Sequence, residues 1–290
     1  MAGVGKLIYG TAWHVCWAIH HTRLIDPRKE QHTAALVVAA VLKGFRAIDT
    51  ACQPKHYRED LVGEALLTLQ TQHGINREDF FLQTKYTPIG GQTTSKPLPY
   101  DPNSSITAQI NASFAVSLAN LHTTYLDSYI LHSPLPTPAE TFEAWAALGA
   151  LQDAGHVRAI GVSNVYDVDV LRSLAAVRPI QVVQNRWHER NRWDRLVCQY
   201  CKEHNIAYQS FWTLSGSPSL LATEDLVSLA TASGVSPAQV LFKLAMMGGV
   251  TPLCGTTNEA HMEEGVAVPS LELKDPSGLL KSLGDIVHGA

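Results

Sequence analysis

The 290-residue chain has little of what marks disulfide-rich, nucleic-acid-binding or membrane proteins. Five cysteines are an odd and sparse set, which argues against a disulfide framework. Lysine and arginine total 22 against 26 aspartates and glutamates, so no basic excess is present to hold nucleic acid or acidic lipid. The longest apolar run, Ala34–Leu42, is too short to cross a membrane, and residues 1–10 do not have the layout of a signal peptide. We therefore expect a cytoplasmic protein with neither nucleic acid nor membrane as a partner.

The sequence also lacks a convincing metal motif. Cys198 and Cys201 form a Cys-x-x-C pair, but they lie in a helix-like stretch, and no second Cys or His pair with zinc-like spacing follows them. We interpret both as ordinary helix residues, with redox or metal use as the alternative, and we expect no metal.

Short apolar runs alternate along the chain with longer segments of helical pattern. The short runs are mostly apolar without alternation, as expected of strands buried on both faces. The strand-like runs are Leu7–Thr11, Ala47–Thr50, Phe80–Lys85, Ser128–His132, Ala159–Val162, Val182–Gln184, Ala207–Phe211 and Val250–Leu253. The helix-like segments are Thr33–Lys43, Asp60–Leu69, Ser105–Leu121, Thr137–Ala154, Asp167–Leu174, Asp194–His204, Ala222–Ser233, Ser236–Met247 and the start of one at His261–Val266.

Eight strands that alternate with helices indicate parallel pairing through right-handed crossovers. A closed barrel and an open doubly wound sheet would both satisfy that pattern. An open dinucleotide-binding sheet would need G-x-G-x-x-G after an early strand, and the sequence lacks this motif. We therefore predict an α/β fold of the (β/α)8 TIM-barrel type, as a single domain over residues 1–290, since no linker divides the chain.

Titratable side chains follow one another at three successive strand ends, where barrels of this type carry their chemistry. Asp49 ends strand two, Lys85 ends strand three and His132 ends strand four, with Tyr57 in the loop after Asp49. A buried lysine needs a partner, and Asp49 is the natural one. A nearby lysine is expected to lower the pKa of Tyr57, which makes the phenol a proton donor near neutral pH, with His132 assisting. Each residue alone is typical of a structural role, but the combination favours a catalytic group.

Several separated motifs resemble the aldo-keto reductase family, in the same order and from about Leu7 to about Met262. The loop Gln53–Tyr57 is most similar to that of fungal-type members. The motifs are GFRAIDTA at residues 44–51, VGEAL at 62–66, LDSYILH at 126–132, GVSN at 161–164 and QN at 184–185.

The resemblance implies that the chain reduces an aldehyde or ketone, as its small-molecule partner, to an alcohol. Asp49, Tyr57, Lys85 and His132 match the family's catalytic tetrad, with hydride transfer from a nicotinamide cofactor and Tyr57 as general acid. NADPH is the expected cofactor, with NADH as the alternative. The residues that the resemblance places at the cofactor are Gly10, Thr11, Asp49, Ser163, Asn164, Gln184, Phe211, Leu214, Gly255, Thr256, Thr257, His261 and Glu264. Those that it places at the substrate pocket are Trp13, His132 and Ser133.

The sequence departs from the family pattern around the tetrad. The loop from Asp49 to Tyr57 is longer than usual, so His56 competes with Tyr57 for the place of the acid. We favour Tyr57, because phenol acidity is the property that the reaction requires. Ser133 stands where many members have tryptophan, which is expected to open or polarise the substrate pocket.

A second departure concerns the segment after the last strand. Gly255 and His261 stand where the family often binds the 2′-phosphate of NADPH with a lysine and an arginine. An arginine offers a bidentate fork to phosphate and a neutral histidine does not. Thr256, Thr257 and main-chain N–H groups at the next helix start are the remaining candidates to hold the phosphate. We therefore expect weaker discrimination against NADH than is usual in the family.

Two other functions stay open at this point. The first is a non-catalytic barrel that binds nicotinamide and acts as a redox-sensing or interaction subunit. The second is a Schiff-base lyase on a similar barrel, with Lys85 as its nucleophile.

Residues 14–29 are longer than the matching family loop and show mixed polarity without a clear period. We expect an irregular insertion that projects from the barrel, with a lid or a gene-model error as alternatives. Deleting it should leave the thermal midpoint of unfolding within a few degrees of the full chain, since a poorly ordered segment buries little surface. Loss of soluble protein on deletion would show instead that the segment packs on the barrel.

Overall fold

The computed structural model describes residues 7–12 and 32–289 of the chain. In that part of the chain, eight parallel strands pair in sequence order and close into a barrel. The predicted (β/α)8 fold is therefore confirmed. In chain order the strands are β1 (Ile8–Gly10), β2 (Ala47–Asp49), β3 (Phe81–Tyr86), β4 (Leu126–Leu131), β5 (Val157–Ser163), β6 (Val182–Arg186), β7 (Ala207–Phe211) and β8 (Val250–Cys254).

Each helix-like segment of the sequence overlaps an observed helix, and two further helices, Pro218–Leu221 and Leu279–His288, were not expected. In chain order the described α-helices are α1 (Thr33–Leu42), α2 (Glu59–His73), α3 (Ile106–Asn120), α4 (Pro138–Asp153), α5 (Val168–Val177), α6 (Arg195–Glu203), α7 (Pro218–Leu221), α8 (Glu224–Ser233), α9 (Pro237–Met247), α10 (Glu259–Ala267) and α11 (Leu279–His288).

Beyond its first eight residues, the chain divides into two compact units, Tyr9–Ile160 and Gly161–Ala290. The first unit contains β2 to β4 with α1 to α4, and the second contains β6 to β8 with α5 to α11. The expectation of a single domain over residues 1–290 stays a prediction. The expected insertion at residues 14–29 lies outside the described residues.

Helix starts follow local capping chemistry. The side chain of Thr137 accepts a hydrogen bond from the main-chain N–H of Glu140, and Pro138 then opens α4. Ser236 and Pro237 open α9 in the same way. In α11 the residue before the first turn is Gly278, and the carboxylate of Asp275 accepts from the first N–H groups instead. Because this cap lies several residues upstream, the sequence pattern gave no start signal for α11.

The Cys-x-x-C pair lies on a helix, as expected. Cys198 and Cys201 are both on α6, and both thiols are free. Burial, with the charge of Asp194 second, raises the pKa of Cys201 to about 12, so its reactive thiolate is suppressed at neutral pH. Within residues 7–12 and 32–289, no cluster of three or more His, Cys, Asp or Glu side chains is arranged to hold a metal. No helix in those ranges has the length and hydropathy to cross a membrane.

Gly63 of α2 lies directly against the end of α3. A Cβ atom added to Gly63 would lie 1.8 Å from the main-chain oxygen of Asn120, the last residue of α3. We expect Gly63→Ala to lower the free energy of unfolding by about 1–2 kcal/mol, because a main-chain carbonyl puts the overpacking near the upper end of about 1–3 kcal/mol, and the gain in helix propensity offsets only roughly 1 kcal/mol of it. Denaturant unfolding measures the change.

The exposed neighbour Glu64 provides the matched control. Glu64→Ala changes the same helix without meeting α3, so its unfolding free energy should stay within about 0.5 kcal/mol of the wild type. A Gly63→Ala variant as stable as the wild type would contradict the close approach.

Candidate active site

A buried ion pair lies at the ends of β2 and β3. The Lys85 Nζ atom is 2.6 Å from Asp49 Oδ2 and donates a second hydrogen bond to the carbonyl oxygen of Thr50 at 2.7 Å. Gln83 donates to the other carboxylate oxygen of Asp49 at 2.7 Å. The two charged side chains are 0% and 2% exposed, so both are removed from water and depend on each other. The pairing expected from the sequence is confirmed.

Tyr57, not His56, faces this ion pair. The Nζ atom of Lys85 lies 5.3 Å from the centroid of the Tyr57 ring. The ring of His132 lies edge-on to Tyr57, with centroids 6.0 Å apart. His56 is exposed, although both residues donate their main-chain N–H to the carbonyl oxygen of Gln53. Of the two candidates that the sequence offered, the structure brings Tyr57 to the other three residues of the predicted tetrad.

Two anchors hold the long loop that carries Tyr57. Gln53 donates from its side chain to the carbonyl oxygen of Gly91 at 2.8 Å. On the other side, the buried carboxylate of Glu59 accepts from Thr84 in β3 and from Asn120 in α3. Burial raises the pKa of Glu59. Sequence reasoning missed Glu59, although its place two residues after the candidate acid was a usable signal.

The pKa of Tyr57 moves in the opposite direction from the one expected. Burial, followed by the charge of Asp49, raises the pKa of the Tyr57 phenol. The expected lowering by Lys85 was wrong, because the ammonium is already paired with Asp49, whose negative charge opposes a phenolate. Burial also lowers the pKa of Lys85, against the attraction of Asp49. Tyr57 therefore keeps its proton at neutral pH.

His132 is fixed by a residue that sequence reasoning missed. Its Nδ1 atom lies 2.7 Å from the hydroxyl oxygen of Thr87, and its main-chain N–H donates to Tyr86. Thr87 is buried and lies two residues after Lys85, at the same strand end. Ser133, expected at the substrate pocket, is half-buried beside His132, whereas Trp13 lies outside the described residues.

Gly10 and Thr11 contact the main chain of Asp49. Gly10 is its register partner between β1 and β2, and Thr11 donates both its N–H and its hydroxyl to the carbonyl oxygen of Asp49 at 3.0 Å. The structure thus gives Thr11 a part in fixing the end of β2.

In the second unit, polar side chains gather at the ends of β5 and β6. The Ser163 hydroxyl donates to the carbonyl oxygen of Gln184 at 2.6 Å and accepts from the Asn164 amide at 3.2 Å. The Gln184 amide donates to Gln209 of β7 at 3.0 Å. Asn164 adopts a left-handed backbone with φ of 57°, which turns its side chain at the strand end. The three residues expected at the cofactor therefore form one hydrogen-bonded group.

The end of β7 adds an aromatic surface to this group. Phe211 is half-buried at the last position of the strand, and Leu214 is half-buried in the turn that follows. The guanidinium of Arg186, which sequence reasoning missed, lies 5.2 Å from the Phe211 ring centroid and donates to Asn164 at 2.8 Å. Its place two residues after Gln184 was the available signal.

The segment after β8 is polar and mostly exposed. Gly255, Thr257 and His261 are exposed, while the Thr256 hydroxyl accepts from the N–H of Asn258 at 3.1 Å. The Nδ1 atom of His261 lies 3.5 Å from that same hydroxyl.

Glu264, also expected at the cofactor, hydrogen-bonds to the start of α9. Its carboxylate accepts from the hydroxyl of Ser236 at 2.9 Å, and its carbonyl oxygen accepts from Gln239 at 3.0 Å. These bonds tie α10 to α9 in the structure.

Comparison with known proteins gives consistent matches. The model of the Aldo/keto reductase family matches residues 6–277. The chain is 31% identical to glyoxal reductase of Bacillus subtilis over 82% of this chain and 78% of that protein. It is 28% identical to methylglyoxal reductase DkgB of Yersinia pestis over 81% of each. The structure of aldo-keto reductase AKR2E5 of the silkworm Bombyx mori superposes with a TM-score of 0.80, covering 98% of this chain and 85% of that one; at 19% identity it shows a shared fold.

Proposed function

The chain belongs to the aldo/keto reductase family, and on this basis we propose that it is an NADPH-dependent oxidoreductase that reduces an aldehyde or ketone to an alcohol. The observation that carries the proposal is the buried Asp49–Lys85 pair with the rings of Tyr57 and His132 beside it. Two relatives are named for the reduction of glyoxal and methylglyoxal, and two solved silkworm relatives are named as complexes with NADPH and NADP, which supports the same reaction.

The side chains of the second unit fit a nicotinamide carboxamide. Such a group needs a donor for its oxygen and acceptors for its N–H groups, and the amides of Asn164 and Gln184 with the Ser163 hydroxyl supply both kinds. Phe211 adds a half-buried ring face against which a planar ring packs. When bound, a dihydronicotinamide supplies the hydride that the carbonyl carbon accepts.

Tyr57 supplies the proton. A phenol is protonated at neutral pH, so Tyr57 holds a proton for the carbonyl oxygen of the substrate. Because burial raises its pKa, transfer of that proton depends on a cation that stabilises the phenolate as it forms. Once the proton has left, the phenolate lies beside the ammonium of Lys85, which stabilises it. Asp49 holds that ammonium in place, and Thr50 supports the same atom through its carbonyl oxygen.

His132 orients the carbonyl. Its bond to Thr87 and its edge contact with Tyr57 fix the ring beside the acid. An imidazole held in one orientation that hydrogen-bonds the carbonyl oxygen aligns the substrate with Tyr57. This alignment lowers the entropic part of the barrier to proton transfer.

Lys85 is poorly placed to be a Schiff-base nucleophile. Its Nζ atom is fully buried and already donates to a carboxylate and to a carbonyl oxygen. No observation on the described residues favours a non-catalytic subunit. The nearness of all four residues of the proposed tetrad supports the enzyme.

The polar segment after β8 generates a prediction on cofactor choice. His261 is exposed at the start of α10, and His261→Arg places a guanidinium there. If the segment holds the 2′-phosphate, NADPH should bind about tenfold tighter, since one charge-assisted contact contributes roughly 1.5–3 kcal/mol at best. NADH should change little, and calorimetric titration with each cofactor measures the difference.

His73→Arg, an exposed histidine at the end of α2, controls for the added charge. It should leave the ratio of the two dissociation constants unchanged. An equal change for NADPH and NADH in His261→Arg would mean that His261 does not face the 2′-phosphate.

The proposed acid generates the central test. Tyr57→Phe keeps the ring and removes only the hydroxyl with its proton, so the reduction rate on a panel of aldehydes should fall by about 10²–10⁴. Cofactor affinity should be nearly unchanged, because other residues are proposed to hold the nicotinamide. Single-turnover oxidation of NADPH, followed by absorbance, measures the rate.

His56→Ala is the matched control, since His56 precedes Tyr57 and is exposed. It should have a much smaller effect. Loss of turnover in His56→Ala with a nearly silent Tyr57→Phe would place the acid one residue earlier. If neither change matters, the tetrad assignment fails and a cofactor-binding subunit becomes the better function.

A further inference from the structure

An arginine without an acidic partner lies at the carboxyl end of β6. Arg186 is the last residue of that strand, opposite Phe211, the last residue of β7. Ligand groups in (β/α)8 barrels are met at the carboxyl ends of strands. No carboxylate of the described residues forms an ion pair with Arg186. The guanidinium contacts one amide, one phenol and two aromatic rings among these residues.

These neutral partners orient the guanidinium without cancelling its charge. Its Nη1 atom donates to Asn164 Oδ1 at 2.8 Å and lies 3.4 Å from the hydroxyl of Tyr166. Its Cζ atom lies 4.6 Å from the ring centroid of Trp212 and 5.2 Å from that of Phe211. Aromatic faces attract a cation and restrict its orientation, but they leave its N–H edge able to bind an anion.

Trp212 is held in an unfavourable backbone conformation at this place. Its φ is 62°, in the left-handed region that a bulky side chain rarely adopts, and 41% of its surface is exposed. His188 lies in the loop after β6, and its ring centroid is 5.9 Å from that of the Trp212 indole. Strained backbone conformations persist only where the surrounding structure enforces them, and they are concentrated at ligand sites.

The charge around Arg186 is positive. Burial, followed by the charges of Arg186 and Arg190, lowers the pKa of His188, so the imidazole is neutral at neutral pH and offers no counter-charge. The nearby carboxylate of Glu189 accepts from the main-chain N–H of Leu220 at 3.3 Å, at α7. In a chain of net charge −4, this loop therefore presents a local excess of cations.

Part of the guanidinium is unused. Arginine carries five N–H donors, and among the described residues only Nη1 of Arg186 has a hydrogen-bond partner. The Nε and Nη2 donors form the edge that matches the two oxygens of a carboxylate or a phosphate. This edge is the part of Arg186 at which we look for an anionic group.

We propose that Arg186 binds an anionic group of the ligand and selects for ligands that carry one. This role rests on the proposed function, since Asn164 and Phe211, which Arg186 contacts, are proposed to hold the nicotinamide. Two groups offer paired anionic oxygens to a guanidinium: the diphosphate of the cofactor and a carboxylate on the carbonyl substrate.

Arg186→Met tests the proposal, because it keeps an unbranched apolar stem and removes the fork. Arg190→Met, an exposed arginine in the same loop, is the matched control. Dissociation constants for NADPH and NADH are measured by calorimetry, and KM values are compared for 4-oxobutanoate and the uncharged butanal. Thermal unfolding of each variant verifies the fold.

If the diphosphate is the anion, Arg186→Met weakens NADPH and NADH alike by about tenfold to a hundredfold. If a substrate carboxylate is the anion, both cofactor constants stay unchanged, and KM rises by a similar factor for 4-oxobutanoate and not for butanal. If all four values stay within about twofold of Arg190→Met, Arg186 only supports the loop and the proposal is overturned.

Two further measurements keep the test decisive. If Arg186→Met does not fold, Arg186→Lys replaces it: the charge remains but the fork is lost, so binding should weaken severalfold, and wild-type values would overturn the proposal. If the wild type binds NADPH but does not oxidise it with butanal, the proposed reduction fails. Calorimetric titration with NADPH and with 4-oxobutanoate then still decides the role of Arg186.

Discussion

The first unit of the barrel is organised around one buried ion pair. Asp49 and Lys85 are both shielded from water, and removing either one would leave an unpaired charge in the interior, which costs about 3–5 kcal/mol. The pair favours the observed register of β2 and β3, since a slip of one residue would turn one of the two side chains to the other face. Gln83 donates to the second carboxylate oxygen of Asp49, and the carbonyl oxygen of Thr50 accepts a second hydrogen bond from Lys85.

The reactivity of Tyr57 depends on the same pair. An isolated ammonium 5.3 Å from the ring would lower the pKa of the phenol, but the carboxylate at 2.6 Å from that ammonium removes most of its effect. What remains is the cost of burying a phenolate. Burial therefore keeps the phenol protonated, and the charge of Asp49 acts in the same direction.

Much of this arrangement was predictable from the sequence. The strands were found because an apolar run bounded by polar residues identifies a strand buried on both faces. Asp49, Lys85 and His132 were found because they come at successive strand ends, and Tyr57 because it lies in the loop after Asp49. The pKa of Tyr57 was not predictable, since it depends on how burial and two opposite charges combine in three dimensions. Arg186 was missed because an arginine at a strand end is usually solvated, and only its contacts with Phe211 and Trp212 distinguish it. The start of α11 was missed because its cap lies outside the usual position.

The contacts of Glu59 have a consequence for the order of assembly. Its carboxylate joins the loop after β2 to Asn120, 61 residues later in the chain, and the bond from Thr87 to His132 spans 45 residues. None of these contacts is local, so each requires closure of a long stretch of chain before it contributes any stability. We therefore expect the tyrosine loop of a nascent chain to take a fixed position only after α3 has left the ribosome and docked. On this view the four residues of the proposed tetrad come together in one late step, and not one strand at a time.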